Sequence, residues 1–259
     1  RNRYNSTLAL VTNYLGKEHQ STLSIMNNLA YLNMLDGAYK DAIEIFKPLH
    51  ISWSKQLGEK HPKTLKVLNN LGRSEHYIKD YSSAKDDLSD ALEYRSIKLS
   101  VKHPDTLRSL IDYGLLLFDM GNVQEAEKLL REGLKTTEQV LGNQHPLFFE
   151  SLNGLARILQ SRGSVNEAHN IRKRGFELRT EFLSKMLWVS GENTRASYVK
   201  LFKPELDAYL NSLSLIDSQQ AGADLIAISM RRKGFLLYTT AQIKKVFRLA
   251  ETPKLSQFV

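Results

Sequence analysis

Four histidines, His19, His61, His103 and His145, recur at a fixed step of 42 residues, and imidazole is both a common metal ligand and a proton carrier. Chelation needs donors that converge to about 2 Å from one ion, whereas packed helices one repeat apart stand about 10 Å from each other. The ladder therefore reads as a turn or helix start at each repeat junction, and no metal is expected on it. Carboxylates such as Asp86-Asp87 and Glu125/Glu127 read as solvated helix faces. The chain has no Cys, which removes thiol nucleophiles, disulfides, Cys-ligated zinc and iron–sulfur clusters. Neither H-E-x-x-H, G-x-S-x-G, a Gly-rich phosphate loop nor an EF-hand spacing occurs. The chain reads as a non-enzyme without a cofactor, so its chemistry is expected to lie in amide and guanidinium groups that bind.

The elements that position those groups follow from the same period. Leu15, Leu57, Leu99, Leu141 and Leu183 keep the 42-residue step, as do Ala42, Ala84, Ala126 and Ala168. Apolar residues at three and four spacings on either side of a central break predict two helices per unit. The breaks are Gly37, Lys79, Gly121 and Gly163, three of them the residue that most easily ends a helix in a left-handed conformation. Pro62, Pro104 and Pro146 follow the periodic His and suit the first helical turn. Each unit is an antiparallel helical hairpin, and the fold class is all-α. With 259 residues, 42% hydrophobic and 25% charged, the composition supports a sizeable folded core. The longest apolar runs fall far short of the roughly 18 residues a membrane span needs.

The blocks Leu57-Gly58-Glu59-Lys60-His61-Pro62-Lys63-Thr64, Asn27-Asn28-Leu29-Ala30 and Asn69-Asn70-Leu71-Gly72, with Ala42 and Phe46 at matching intervals, resemble the tetratricopeptide repeat. The 42-residue variant is similar to that of kinesin light chains and of many bacterial regulators. The resemblance implies hairpins stacked as a right-handed superhelix followed by long linker helices. Residues 1–17 read as the second helix of a truncated repeat, 18–183 as four units and 184–259 as a helical linker. Because Arg1 opens the chain mid-unit, further repeats are expected upstream.

The resemblance also implies that first helices line a concave groove for a protein or peptide. The residues assigned to it are Asn27, Asn28, Tyr31, Asn69, Asn70, Arg73, Tyr77, Arg108, Asn153 and Arg157. His76, Ile111, Leu115 and Phe118 fall on the same predicted faces. Paired amides suit an extended backbone, and guanidinium groups suit carboxylates. Some of the Asn are equally expected to tie neighbouring units together.

After Leu183 the period breaks. Pro204 opens a stretch with Leu206, Tyr209, Leu210 and Leu213 in helical spacing, and a second such stretch begins near Ser218 with Leu225 and Ile228. Of the net charge of +8, most sits here, since residues 184–259 hold eleven Lys/Arg against six Asp/Glu. The segment Arg231-Arg232-Lys233-Gly234-Phe235-Leu236-Leu237 resembles the linker that joins such repeats to the caspase-like CHAT protease domain of bacterial proteins. That resemblance implies the regulatory or substrate-recruiting part of a cytoplasmic, defence-related protease whose caspase-like domain follows Val259. Arg231, Arg232, Lys233, Phe235, Leu236 and Phe247 would dock that domain, and an RNA-guided effector complex is a further implied partner. The alternative is a stand-alone adaptor of kinesin-light-chain type.

Overall fold

The computed structural model describes residues 2–189, 203, 205–217 and 219–230. Their regular structure is helical: α1 (Asn2–Leu15), α2 (Gln20–Leu35), α3 (Tyr39–Leu57), α4 (Pro62–Tyr77), α5 (Tyr81–Leu99), α6 (Pro104–Asp119), α7 (Val123–Leu141), α8 (Pro146–Ser161) and α9 (Val165–Val189). Two further helices, α10 (205–213) and α11 (219–230), follow. The chain forms two compact units, Arg1–Ile158 and Leu159–Val259.

In the first unit each hairpin repeats the same local chemistry. The periodic His is the N-cap, with its Nδ1 accepting the N–H of Ser21, Lys63, Asp105 and Leu147 at 3.1, 3.2, 3.1 and 3.2 Å. A neutral imidazole accepts at Nδ1 only with its proton on Nε2, so the cap selects the tautomer. One turn on, Thr22 and Thr64 donate back to the carbonyls of Gly16 and Gly58 at 2.7 and 2.9 Å. Replacing His103 by Ala removes a cap and is expected to cost about 1 kcal/mol. Asn, which also accepts from the N-cap position, is expected to restore most of that in urea unfolding. An Asn variant as unstable as the Ala one would contradict the capping role.

The break between paired helices is left-handed in all four hairpins, at Gly37, Gly121 and Gly163 (φ 78°, 89° and 80°) and at Lys79 (φ 67°). A residue with a Cβ loses roughly 1–2 kcal/mol in that region, so Lys79 is held there at a cost that its three counterparts avoid.

Packing follows the small and large positions. Ala42, Ala84, Ala126 and Phe46 are fully buried, and Gly72 lies so near α5 that a Cβ there would stand 2.8 Å from Leu88 Cγ. A Leu-sized side chain buried in this way contributes about 1.5–3 kcal/mol. First helices of successive hairpins also touch, α2 with α4 and α4 with α6, which crowds them onto the inner side of the stack.

One carboxylate read as solvated is not. Asp87 on α5 is half-buried opposite Glu75 on α4, itself 2% exposed and paired with Lys47 at 3.3 Å. Burial lifts the Asp87 carboxyl to about 8, and the Glu75 charge adds to this. The folded chain therefore holds a proton that the unfolded chain releases near pH 4, and stability falls between about pH 4 and about pH 8. Asp87→Asn should remove this slope, matching wild type near pH 4 and exceeding it by about 1–2 kcal/mol above pH 8, after allowance for solvent screening. Thermal melts across that range check it.

In the second unit Phe176 of α9, Tyr209 and Leu213 of α10 and Ile228 of α11 form a core. The helices expected after Pro204 and from about Ser218 are thus present through Met230, and Leu225 is half-exposed. A buried polar network joins them. His169 contacts Ser212 Oγ through Nδ1 at 2.8 Å and Asp224 Oδ2 through Nε2 at 2.7 Å, and Lys173 reaches Asp224 Oδ1 at 2.8 Å. Ser, His and Asp here have the types of an acyl-transfer triad. Yet none of the three is more than 3% exposed, and Ser212 Oγ donates to the Tyr209 carbonyl at 2.6 Å. With no approach for a substrate, the three residues fasten helices rather than cleave bonds.

Candidate functional site

Side chains three, four or seven apart share one face of a helix. Arg73, His76 and Tyr77 on α4, Asp112, Leu115 and Asp119 on α6, and Glu150, Asn153 and Arg157 on α8 are spaced in this way. Together with Lys79 and Tyr81 they line a cavity of about 510 Å³ across three successive first helices.

Its floor is a set of ties between neighbouring hairpins. Asn69 donates to Asp112 at 2.8 Å and Arg73 Nε lies 3.2 Å from Asp112 Oδ1. His76 Nε2 and Asp119 Oδ2 are 2.8 Å apart, Arg157 donates to Asp119 Oδ1 at 2.6 Å, and Arg108 donates to Glu150. Asp112 raises the pKa of the Arg73 guanidinium against the opposing effect of burial, so this cation is fixed. Beneath the floor, Arg95 of α5 is 3% exposed and donates to Asn69 Oδ1, the Asp105 carbonyl and Ser109 Oγ at 3.2, 2.9 and 2.8 Å.

Aromatic rings border the cavity. Tyr77 is 55% exposed and stacks on Tyr39 with centroids 4.4 Å apart and planes 6° from parallel. The Arg157 guanidinium lies 5.0 Å from the centre of the Phe118 ring, a geometry that favours the cation.

Of the residues assigned to the groove, Arg73, Tyr77, Asn153 and Arg157 line this cavity. Arg108 holds Glu150. Asn69 is 1% exposed and spent on Asp112, Arg95 and Ser109, which is the tying role. Asn27 Oδ1 and Asn70 Nδ2 are buried without a hydrogen-bond partner. They are a complementary acceptor and donor in the register of Asn69 and Asp112 one repeat earlier. Asn28 and Tyr31 are exposed on α2. Asp112, Asp119 and Lys79 line the groove without having been assigned to it by spacing. Ile111, expected to point inward, is fully buried in the core, and its neighbour Asp112 takes the groove position. The signal lay in register, because Asp112 is 42 residues from Asn70 and Asp119 is 42 from Tyr77. Arg231, Arg232, Lys233, Phe235, Leu236 and Phe247 lie outside the described residues.

The sequence profile of the tetratricopeptide repeat matches residues 21–96 and 100–181. The chain belongs to the tetratricopeptide repeat family. Among curated proteins none matches it. Several solved structures share its fold. One is the putative kinesin light chain of Podosopora anserina with nearly identical TPR-like repeats, 24% identical over 69% of this chain and 85% of that one, with a TM-score of 0.55. Another is BtubC (BKLC) from P. vanneervenii, 13% identical over 88% and 89%, with a TM-score of 0.56. A third is a Rap protein complexed with competence and sporulation factor, 12% identical over 98% and 81%, with a TM-score of 0.57. At these identities the likeness concerns the fold. Within the family's hairpins, the described residues contain no cluster of three or more potential metal ligands and no helix long and apolar enough to cross a membrane.

Proposed function

We propose that the chain is a non-catalytic scaffold that captures a protein or peptide in the cavity between α4, α6 and α8. The cavity itself carries the reading: it is open, spans three repeats and mixes the exposed Tyr77 ring with charged and amide groups. Recognition sites of this kind combine apolar area with a few placed polar groups. Support comes also from a Rap regulator of plasmid pLS20 solved in complex with the Phr* peptide, which shares the fold at 15% identity and a TM-score of 0.55. The stand-alone adaptor of kinesin-light-chain type is the better supported form, because the repeats align with a kinesin-light-chain-like array. The CHAT-protease form rests on Arg231-Arg232-Lys233-Gly234 as sequence alone.

A photoreactive amino acid placed at Tyr77 tests the reading, with Ile97, 69% exposed on α5, as the comparison position. In cells of the native source, a discrete crosslinked partner is expected from position 77 and not from 97. Equal labelling from both positions would remove the groove from the account.

A further inference from the structure

We propose that α5 is a switch helix: one proton shared between Asp87 and Glu75 holds it in the array, and loss of that proton lets it open as a unit ahead of its counterparts.

The ends of α5 are less well fastened than those of the equivalent second helices. α3 and α7 have the same 19-residue length and are flanked by left-handed glycines, Gly37 and Gly58 for one, Gly121 and Gly142 for the other. α5 is flanked instead by Lys79 and Ser100, at φ 67° and 80°. Each carries a Cβ into a region that glycine enters without penalty. The closing bonds differ as well. The N–H groups of Gly58 and Gly142 donate to the Ser54 and Thr137 carbonyls at 3.0 and 3.1 Å, whereas the Ser100 N–H makes no such bond to α5. Thr22 and Thr64 donate to the glycine carbonyl of the junction before them, but the hydroxyl of Thr106, one repeat on, is buried without a hydrogen-bond partner. Backbone strain persists only where the surroundings impose it, and it collects at elements that switch.

What imposes it here is close packing and a pair of acids. A Cβ on Gly72 of α4 would stand 3.0 Å from Asp87 Cβ, and this approach sets Asp87 opposite Glu75. Glu75 Oε2 is buried and has no donor while Asp87 is ionised; the O–H of a protonated Asp87 supplies one. Lys47 of α3 pairs with Glu75 Oε1 at 3.3 Å, while Asp80 and Asp90 add negative charge. From α6, Tyr113 packs in the cluster of Ala84 and Leu88, and Asp105, Arg108 and Asp112 act on Arg95. When the Asp87 proton passes to solvent, two carboxylates face one ammonium, and the repulsion falls on a helix whose ends are already strained. The closed helix keeps this proton and the opened helix, with Asp87 in water, releases it near pH 4. Opening therefore grows easier from about pH 4 to about pH 8. It would also withdraw Arg95 from Asn69 and Ser109, which it joins across α4 and α6.

Hydrogen exchange of the whole chain, read by mass spectrometry and corrected for intrinsic rates, tests this with α7 as the reference. The opening constant of α5 is expected to lie about 10-fold above that of α7 at pH 8.5, and the ratio to fall about 10-fold by pH 5.5, less than the ideal because Asp87 is partly exposed. Asp87→Asn should hold the ratio at its pH 5.5 value throughout. Glu75→Gln removes the repelling charge while its amide can still donate to Asp87, and should do the same. Lys79→Gly combined with Ser100→Gly should slow opening of α5 about 10-fold at both pH values and leave α7 unchanged. Exchange that rises equally in α5 and α7 with pH is global unfolding and overturns the proposal. Equal protection of the two helices at both pH values overturns it as well. So does a ratio indifferent to pH, or a pH response that survives in both carboxyl variants, since the proton would then not be the trigger.

Discussion

Arg95→Ala is expected to lower the unfolding free energy of the repeat array by about 3–5 kcal/mol, the cost of breaking a buried charged network by removing one partner. Arg95 has no solvent to fall back on, and its three acceptors come from two different helices and a helix start: Asn69 of α4, Ser109 of α6 and the Asp105 carbonyl. Burial lowers its guanidinium pKa, with Asp105 and Asp112 opposing the shift. Truncation would leave a cavity and three acceptors short of a donor. Arg95→Lys should recover little, since an ammonium cannot reproduce a planar fork. Arg95→Met keeps the volume without the charge and should cost well under half as much, because the buried charge and its desolvation go together. Urea midpoints of the three variants decide the matter, and an Ala variant shifted by less than about 1 kcal/mol would refute the role.

The second large effect is expected at Asp224. Its burial raises the pKa, yet hydrogen bonds from Lys173, His169 and Tyr209 outweigh this and bring it down to about 2. A carboxylate with a depressed folded-state pKa stabilises the fold above its unfolded value and loses that contribution as pH falls. The window here runs from about pH 4 down to about pH 2, and the loss amounts to about 2.5 kcal/mol. Asp224→Ala removes it at every pH and strands two buried donors, so about 3–5 kcal/mol is expected. Hydrogen exchange should show α11 opening first in the variant. The acid sensitivity of wild type between about pH 4 and pH 2 should be absent from it.

The hairpins are legible in the sequence because one period writes them four times. His61, Pro62, Thr64 and Ala84 each have a local task, a cap, a first turn, a clasp and a close approach, that depends on near neighbours in the chain. The groove was legible in part. Arg73 and Arg157 were assigned from helical spacing, but spacing does not say that Asp112 and Asp119 face them from the next hairpin. Those ties depend on how α6 is rotated about its axis, and a one-residue ambiguity there exchanged Ile111 for Asp112. Asp87 shows the same limit, since its burial comes from the close approach of α4 at Gly72 and not from its own surroundings in sequence. The network around His169 had no sequence signal, because its partners Ser212 and Asp224 lie 43 and 55 residues further on, beyond the periodic region.

Those separations have a consequence for how the protein is made. In the repeat array, polar partners are about one hairpin apart, as Asn69 and Asp112 or His76 and Asp119 are, 43 residues in each case. Such low contact order favours rapid folding, and domains emerging from a ribosome fold from the N-terminus first. Each hairpin can close on its predecessor as soon as it is synthesised. His169 waits as long for Ser212, 43 residues on, and longer for Asp224, 55 residues on, and it is buried only once both have been translated. For that interval α9 carries an uncovered imidazole and an uncovered Phe176, a stage at which a nascent chain is open to chaperones and to misassembly.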